Sequence, residues 1–201
     1  MSEHRIRVSH QMTTESGESL AEQSSMMVTF HPDSYPLHWE SCGQLAEFIS
    51  HYTGLFFDGQ TRPANEAETL HRSEVEDAIN YILLELMQNA LKFNTAGDIE
   101  AKIEIHEGEL RFHVGNQIRP EDVPDVEAVF QELLTEDPGE LLIRRIEENA
   151  ADPDSYRSGL GFLTIMNDYG ASLAWSFDED AHPDHVRLTI ITCFPVLRSG
   201  T

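Results

Sequence analysis

The sequence has few basic residues, few cysteines and no basic cluster. Of its 201 residues, 13 are Lys or Arg and 36 are Asp or Glu, which gives a formal net charge of −23 at pH 7. Because binding to nucleic acid phosphates and anionic lipids depends on clustered positive charge, we expect neither nucleic acid nor membrane as a partner. Its two cysteines, Cys42 and Cys193, are too few for a disulfide framework or a thiolate metal site.

Long apolar runs and familiar nucleotide-binding motifs are also missing. No stretch approaches the roughly 20 apolar residues of a membrane-spanning helix, and the first residues lack a signal-peptide apolar region, so we expect a cytoplasmic protein. Neither GxxxxGK[ST] nor GxGxxG occurs, which argues against P-loop and dinucleotide-binding folds. The 40% of hydrophobic residues is enough for one folded domain with a sizeable core.

The chain divides into a polar segment and one domain. Residues 1–24 are rich in Ser, Thr and Glu without sustained periodicity, so we expect a flexible N-terminal tail. Residues 25–201 carry the periodic apolar positions of a single domain. The predicted elements are a strand at 26–30, helices near 37–52 and 65–94, a short strand or turn at 55–57, a hairpin near 99–114, two acidic helices within 121–154, a helix at 162–169 and a second hairpin near 173–191.

The order of these elements predicts the fold class. Helices alternate with antiparallel hairpins, without the regular βαβ repetition of a Rossmann fold. We therefore predict an α+β protein, a two-layer α/β sandwich in which a mixed, mostly antiparallel sheet has helices on one face. The two acidic helices, which break at Asp137-Pro138-Gly139, lie between the hairpins.

The long predicted helix carries a polar stripe beside its apolar one. Glu85, Asn89 and Lys92 are four and three residues apart and therefore share one face. A carboxylate, a carboxamide and an ammonium in this arrangement could orient a hydroxyl, ligate Mg²⁺ and hold a phosphate, respectively. Taken alone, the stripe is better explained as an ordinary Glu-to-Lys ladder on the helix surface.

Two glycine-containing segments could complete a binding site. Gly159 and Gly161 precede a helix, where backbone N–H groups attract an anion, and Arg157 could add positive charge. Asn116 follows Gly115 near the end of a predicted strand, where its amide could contact the edge of a base. The alternatives are a loop that needs positive φ angles or close helix packing, and a simple Gly-Asn turn.

Taken in order, these segments resemble the GHKL, or Bergerat-fold, ATP-binding proteins. The stretch Glu85-Leu86-Met87-Gln88-Asn89-Ala90-Leu91-Lys92-Phe93 resembles their E-L-x-x-N-A-x-K-[HF] signature. The stretch Ser158-Gly159-Leu160-Gly161-Phe162 resembles their later G-x-G-L-[GA]-L turn. The resemblance spans roughly residues 65–194 and implies the Bergerat fold with ATP and Mg²⁺ as cofactors.

The resemblance also implies roles for individual residues. Glu85 would be the catalytic base, Asn89 the Mg²⁺ ligand, and residues about 119–157 a mobile lid. The implied cofactor-binding residues are Asn89, Lys92, Asn116, Arg157, Gly159 and Gly161. The family's D-x-G-x-G, whose Asp binds the adenine amino group, is replaced here by Gly115-Asn116-Gln117-Ile118, so that Asn116 stands where the family has Asp.

Within this family the chain is similar to small stand-alone SiaB-like serine kinases of bacterial partner-switching systems. These proteins also have Gly-Asn in place of the Asp, a lid of comparable length and an S-[AG]-G-L-G turn. The likeness implies an ATP-dependent regulator that phosphorylates Ser or Thr of a partner such as an STAS-type anti-sigma-factor antagonist, with a homodimer as one expected assembly. The alternative is a non-catalytic, degenerate GHKL module that binds and sequesters a regulatory partner.

Overall fold

The computed structural model describes residues 22–32, 39–57, 72–106, 108–151, 159–179 and 184–196. None of the helices within these ranges has both the length and the hydrophobicity that crossing a membrane requires. Short 3₁₀ turns lie at Leu55–Phe57 and Pro120–Asp122. The main elements are β1 (Glu22–Phe30), α1 (Trp39–Gly54), α2 (Arg72–Phe93), β2 (Ile99–His106), β3 (Glu109–Ile118), α3 (Val123–Thr135), α4 (Pro138–Ala151), α5 (Leu160–Asp168), β4 (Ser172–Glu179) and β5 (Val186–Pro195).

Five strands form one sheet in the order β1-β2-β3-β5-β4. Both predicted hairpins are present, as β2–β3 and β4–β5, and the central pair β3–β5 joins them. All four pairings of the described strands are antiparallel, so the parallel pair that a mixed sheet would contain does not occur among them. The reason is that β5 lies between β3 and β4, which run in the same direction. The two-layer α/β sandwich itself is confirmed.

The helices cover one face of the sheet because the strands alternate in polarity. Ile103 of β2 and Phe112 and Val114 of β3 point into the core. The long helix α2 covers them with a stripe of side chains at intervals of three and four residues. The buried residues of α2 are Val75, Ala78, Ile79, Ile82, Leu83, Leu86, Met87 and Ala90. The opposite face of β2 and β3 carries charged side chains, among them Lys102 and Glu104.

Three predicted boundaries differ from the structure. Strand β1 begins at Glu22, inside the segment expected to be a tail, because a strand can pair through its backbone whatever its side chains are. Residues 1–21 lie outside the described ranges. The long helix begins at Arg72 in the structure, and residues 58–71 are not described. Leu55–Phe57, expected as a strand or turn, is a 3₁₀ turn.

The predicted lid region contains the two expected helices, α3 and α4, and they break where the sequence indicates. Pro138 is the first residue of α4, a position that lacks a hydrogen-bonded N–H in any helix. Asp137 caps this end, because its Oδ1 accepts hydrogen bonds from the backbone N–H groups of Gly139 and Glu140, each at 3.0 Å. Residues 152–158 lie outside the described part of the chain, and lid movement stays a prediction.

Both cysteines are free and buried in separate elements, Cys42 in α1 and Cys193 in β5. Burial raises the pKa of both thiols, that of Cys193 to about 12. Since a thiolate is the reactive form of cysteine, this burial disfavours reaction at either side chain.

Candidate functional site

Helix α2 brings Glu85 against the first turn of α5. The Glu85 side chain lies so close to the Gly161 backbone that a Cβ atom on residue 161 would overlap the carboxylate. Gly159, just before α5, has φ of 109°, a left-handed conformation that side chains other than glycine rarely adopt. The two motif segments therefore meet in space. The glycine at 159 is explained by its left-handed backbone, and the glycine at 161 by the close approach of Glu85.

The environment of Glu85 is partly apolar. Burial raises the pKa of its carboxyl group. One turn earlier on α2, Tyr81 hydrogen-bonds with Thr164 of α5, and its ring stacks on that of Tyr169 with centroids 5.3 Å apart. These contacts hold α5 against α2 beside Glu85. A positioned carboxylate with a raised pKa is a stronger base than a solvated one, which suits the role predicted for it.

Asn89 lies one turn further along α2 and faces a cavity. Its Nδ2 donates a 2.8 Å hydrogen bond to the backbone oxygen of Glu85. Because the donor end of the amide is held by the helix, the carbonyl oxygen is left as the end that can accept or ligate. A single neutral oxygen fits Mg²⁺ that takes its remaining ligands from phosphates and water. The described residues include no group of three or more His, Cys, Asp or Glu side chains placed to hold a metal.

The cavity lies between α2, α3, α5 and the strands β3 and β5, and has a volume of about 180 Å³. Asn116, only 1% exposed, lines it from β3. The Nδ2 atom of Asn116 is buried and has no hydrogen-bond partner in the part of the chain that the structure describes. Since buried donors are rarely left unpaired, Asn116 is a candidate contact for a ligand that supplies a hydrogen-bond acceptor.

The cavity wall is otherwise mainly apolar and partly aromatic. Phe130 of α3 stacks on Trp175 with centroids 4.6 Å apart and contacts the ring of Phe162 at 5.5 Å. Flat apolar walls with few polar groups are typical of sites for aromatic ligands. The lining residues are Asn89, Phe93, Asn116, Asp125, Val126, Val129, Phe130, Phe162, Leu188 and Ile190.

Sequence reasoning missed the wall that α3 contributes. The helical spacing of Val126, Val129 and Phe130 identifies an amphipathic helix, and that was the signal available. Periodicity shows which face of a helix is apolar but not which cavity the face covers. The predicted lid region therefore already contacts the candidate site in this structure.

The structure brings together only part of the predicted set. Lys92 is exposed near the end of α2, with its Nζ 5.0 Å from the centre of the Phe93 ring, and it does not line the cavity. Arg157 lies outside the described residues. The phosphate-binding roles of Lys92, Arg157, Gly159 and Gly161 therefore stay predictions.

Comparison with known proteins supports the fold. No protein-family model matches the chain, and no curated protein is significantly similar to it in sequence. One chain of the crystal structure of the SiaB–SiaC complex from Pseudomonas aeruginosa superposes with a TM-score of 0.58 at 16% sequence identity. The alignment covers 83% of this chain and 89% of that one. At this level of identity the likeness establishes a similar fold.

Proposed function

We propose that the protein is a cytoplasmic, ATP- and Mg²⁺-binding GHKL regulator that phosphorylates Ser or Thr of a partner protein. One observation carries the proposal: Glu85 meets Gly161 while Asn89 and Asn116 face one cavity beside them. A candidate base and an oxygen ligand thus follow one another along α2. They lie beside a cavity that would hold an aromatic ring. The partner we favour is an STAS-type antagonist of a partner-switching pathway, since the similar fold belongs to a complex of two proteins.

In this proposal the chain's own groups position the reactants. The partner's hydroxyl oxygen forms a bond to the γ-phosphorus of ATP, the bond from that phosphorus to the bridging oxygen breaks, and ADP leaves. Glu85 orients the hydroxyl and accepts its proton. Asn89 would supply an oxygen ligand for Mg²⁺, which when bound would neutralise phosphate charge. Phe130 and Phe162 would exclude water from the adenine base, and the backbone around Gly159 and Gly161 would hold the phosphates.

The first test is calorimetric titration of ATP with and without Mg²⁺. We expect Mg²⁺-dependent binding by the wild type and loss of that dependence in Asn89→Ala. A matched control is Asn167→Ala, which removes an exposed amide on α5 that does not line the cavity. If neither the wild type nor the control binds ATP, the kinase proposal fails.

The second test separates binding from transfer. With γ-labelled ATP and a purified STAS-domain protein from the same organism, Glu85→Ala should bind Mg²⁺·ATP as the wild type does. It should transfer label at least about 100-fold more slowly, the range in which general bases act. Equal transfer by the variant and the wild type would remove Glu85 from the reaction.

A second candidate function is a non-catalytic module that sequesters its partner. The observation in its favour is that α4 exposes two large apolar side chains, Ile143 and Ile146, which are 60% and 53% accessible. Replacing both with Ser should then abolish capture of the partner, whereas Glu85→Ala should leave capture intact. In this case the wild type should show no detectable phosphate transfer. Size-exclusion chromatography of the same proteins tests the expected homodimer.

A further inference from the structure

The side-chain amide of Asn116 is the one polar group that β3 presents to the cavity wall. It is almost fully buried, and its nitrogen has no partner among the described residues. Its strand neighbour across the sheet is Leu188, an apolar residue that also lines the cavity. A ligand in the cavity could therefore pair with the amide nitrogen.

An amide in this position can present two different patterns of hydrogen bonding. It carries a donor and an acceptor, and a half turn about the Cβ–Cγ bond exchanges them. A 6-amino purine offers a donor at position 6 and an acceptor at N1, and a 6-oxo purine offers the reverse. One orientation of Asn116 matches the first base and the other orientation matches the second. A carboxylate only accepts, so it would match the amino group at position 6 of the first base or the N1–H of the second, and on either base it would also face one acceptor.

Resting on the nucleotide-binding role proposed above, we infer that Asn116 gives the pocket dual base specificity, so that it takes 6-oxo purine nucleoside triphosphates about as well as ATP. Asp125 also lines the cavity and could accept from a 2-amino group. Inosine triphosphate differs from ATP at position 6 and lacks the 2-amino group of GTP, so it reports on Asn116 without involving Asp125.

The experiment compares Mg²⁺·ATP and Mg²⁺·ITP by calorimetry on the full chain at pH 8. For the wild type we expect dissociation constants within about three-fold of each other. In Asn116→Asp, both nucleotides should bind at least about ten-fold more weakly than in the wild type, because the carboxylate faces one acceptor of either base. In Asn116→Leu, which has neither donor nor acceptor, both nucleotides should bind more weakly by the same factor.

Asn167→Asp is the control, since it adds the same charge at an exposed site on α5 and should keep both wild-type dissociation constants. The wild-type comparison stands even if a buried variant does not fold, which its thermal melting would reveal. A ratio above about three in either direction for the wild type, with ATP still bound, overturns dual specificity and leaves the proposed function intact. Absence of binding by both nucleotides overturns the proposed function and this inference together.

Discussion

The carboxylate of Glu85 lies directly against the backbone of Gly161, the second residue of α5. The contact accounts for both residues. A Cβ at 161 would take the carboxylate's place and force the Glu85 side chain to move, and burial raises the pKa of the Glu85 carboxyl group. The candidate base is therefore held where the free N–H groups of a helix begin.

The first prediction concerns this contact. Gly161→Ala should destabilise the wild-type protein by about 1–3 kcal/mol, the usual range for overpacking a close contact. In a Glu85→Ala background the same substitution should have little effect, because the carboxylate that it would displace is gone. Urea denaturation of the four proteins gives the coupling energy as a double-mutant cycle.

Gly43→Ala is a matched control for that cycle. Gly43 lies within α1, and an added Cβ there would meet nothing within 4 Å. Alanine should stabilise the helix at this position by up to about 1 kcal/mol. If Gly161→Ala proves equally harmless with Glu85 present, the two residues do not touch in solution.

A second prediction follows from the raised pKa of Glu85. A carboxyl group whose pKa is higher in the folded state destabilises that state once it ionises, and it has no such effect below its unfolded pKa. Glu85→Gln should therefore raise the melting temperature at pH 7–8 and leave it nearly unchanged at pH 4. An equal shift at both pH values would mean that ionisation of Glu85 is not the cause.

Elements that depend on local sequence could be predicted, and this holds best for α2. Its apolar residues recur every three or four positions, and the helix ends at Phe93, one residue from the expected end. The two hairpins follow likewise from alternation around a turn. The start of β1 at Glu22 could not be predicted, because its polar residues join the sheet through backbone pairing with β2.

The candidate site depends on contacts between distant segments. The sequence identified some of its residues but not how they are arranged. Motif likeness singled out Glu85 and Gly161 separately. It did not show that the Glu85 side chain occupies the space where a side chain at 161 would lie. Asn116 was expected to contact a base edge. Its burial, with no partner for its nitrogen among the described residues, could not be predicted because it depends on the β3–β5 pairing. The wall formed by Phe130 depends on how α3 packs, which local periodicity does not determine.

A third prediction concerns Glu104 on the polar face of the sheet. Burial alone would raise its pKa, but hydrogen bonds from Lys102 and His106 and the nearby His113 outweigh it and lower the pKa to about 2. The His106 Nε2 lies 3.1 Å and the His113 Nε2 3.3 Å from the carboxylate. A lowered folded-state pKa stabilises the protein above the unfolded value, and this contribution is lost as the pH falls towards 2.

Glu104→Gln should accordingly reduce stability by about 1–3 kcal/mol at pH 7, the range for hydrogen bonds to a charged group. The difference from the wild type should shrink between pH 5 and pH 3. Urea denaturation at these three pH values measures it. A difference that stays constant with pH would show that lost packing, rather than lost charge, is responsible.

The last prediction concerns the link between α3 and α4. Arg145 of α4 has a side chain only 7% exposed and pairs with Glu132 of α3. The exposed Arg144 bonds to Glu132 at 3.0 Å and to Glu136 at 2.6 Å.

Glu132→Ala leaves the buried guanidinium of Arg145 without this carboxylate, which should cost about 1–3 kcal/mol and speed amide exchange across α4. Glu136→Ala breaks only an exposed pair and should cost at most about 0.5 kcal/mol. Similar exchange rates in the two variants would mean that the Arg145–Glu132 pair does not hold α4 in place.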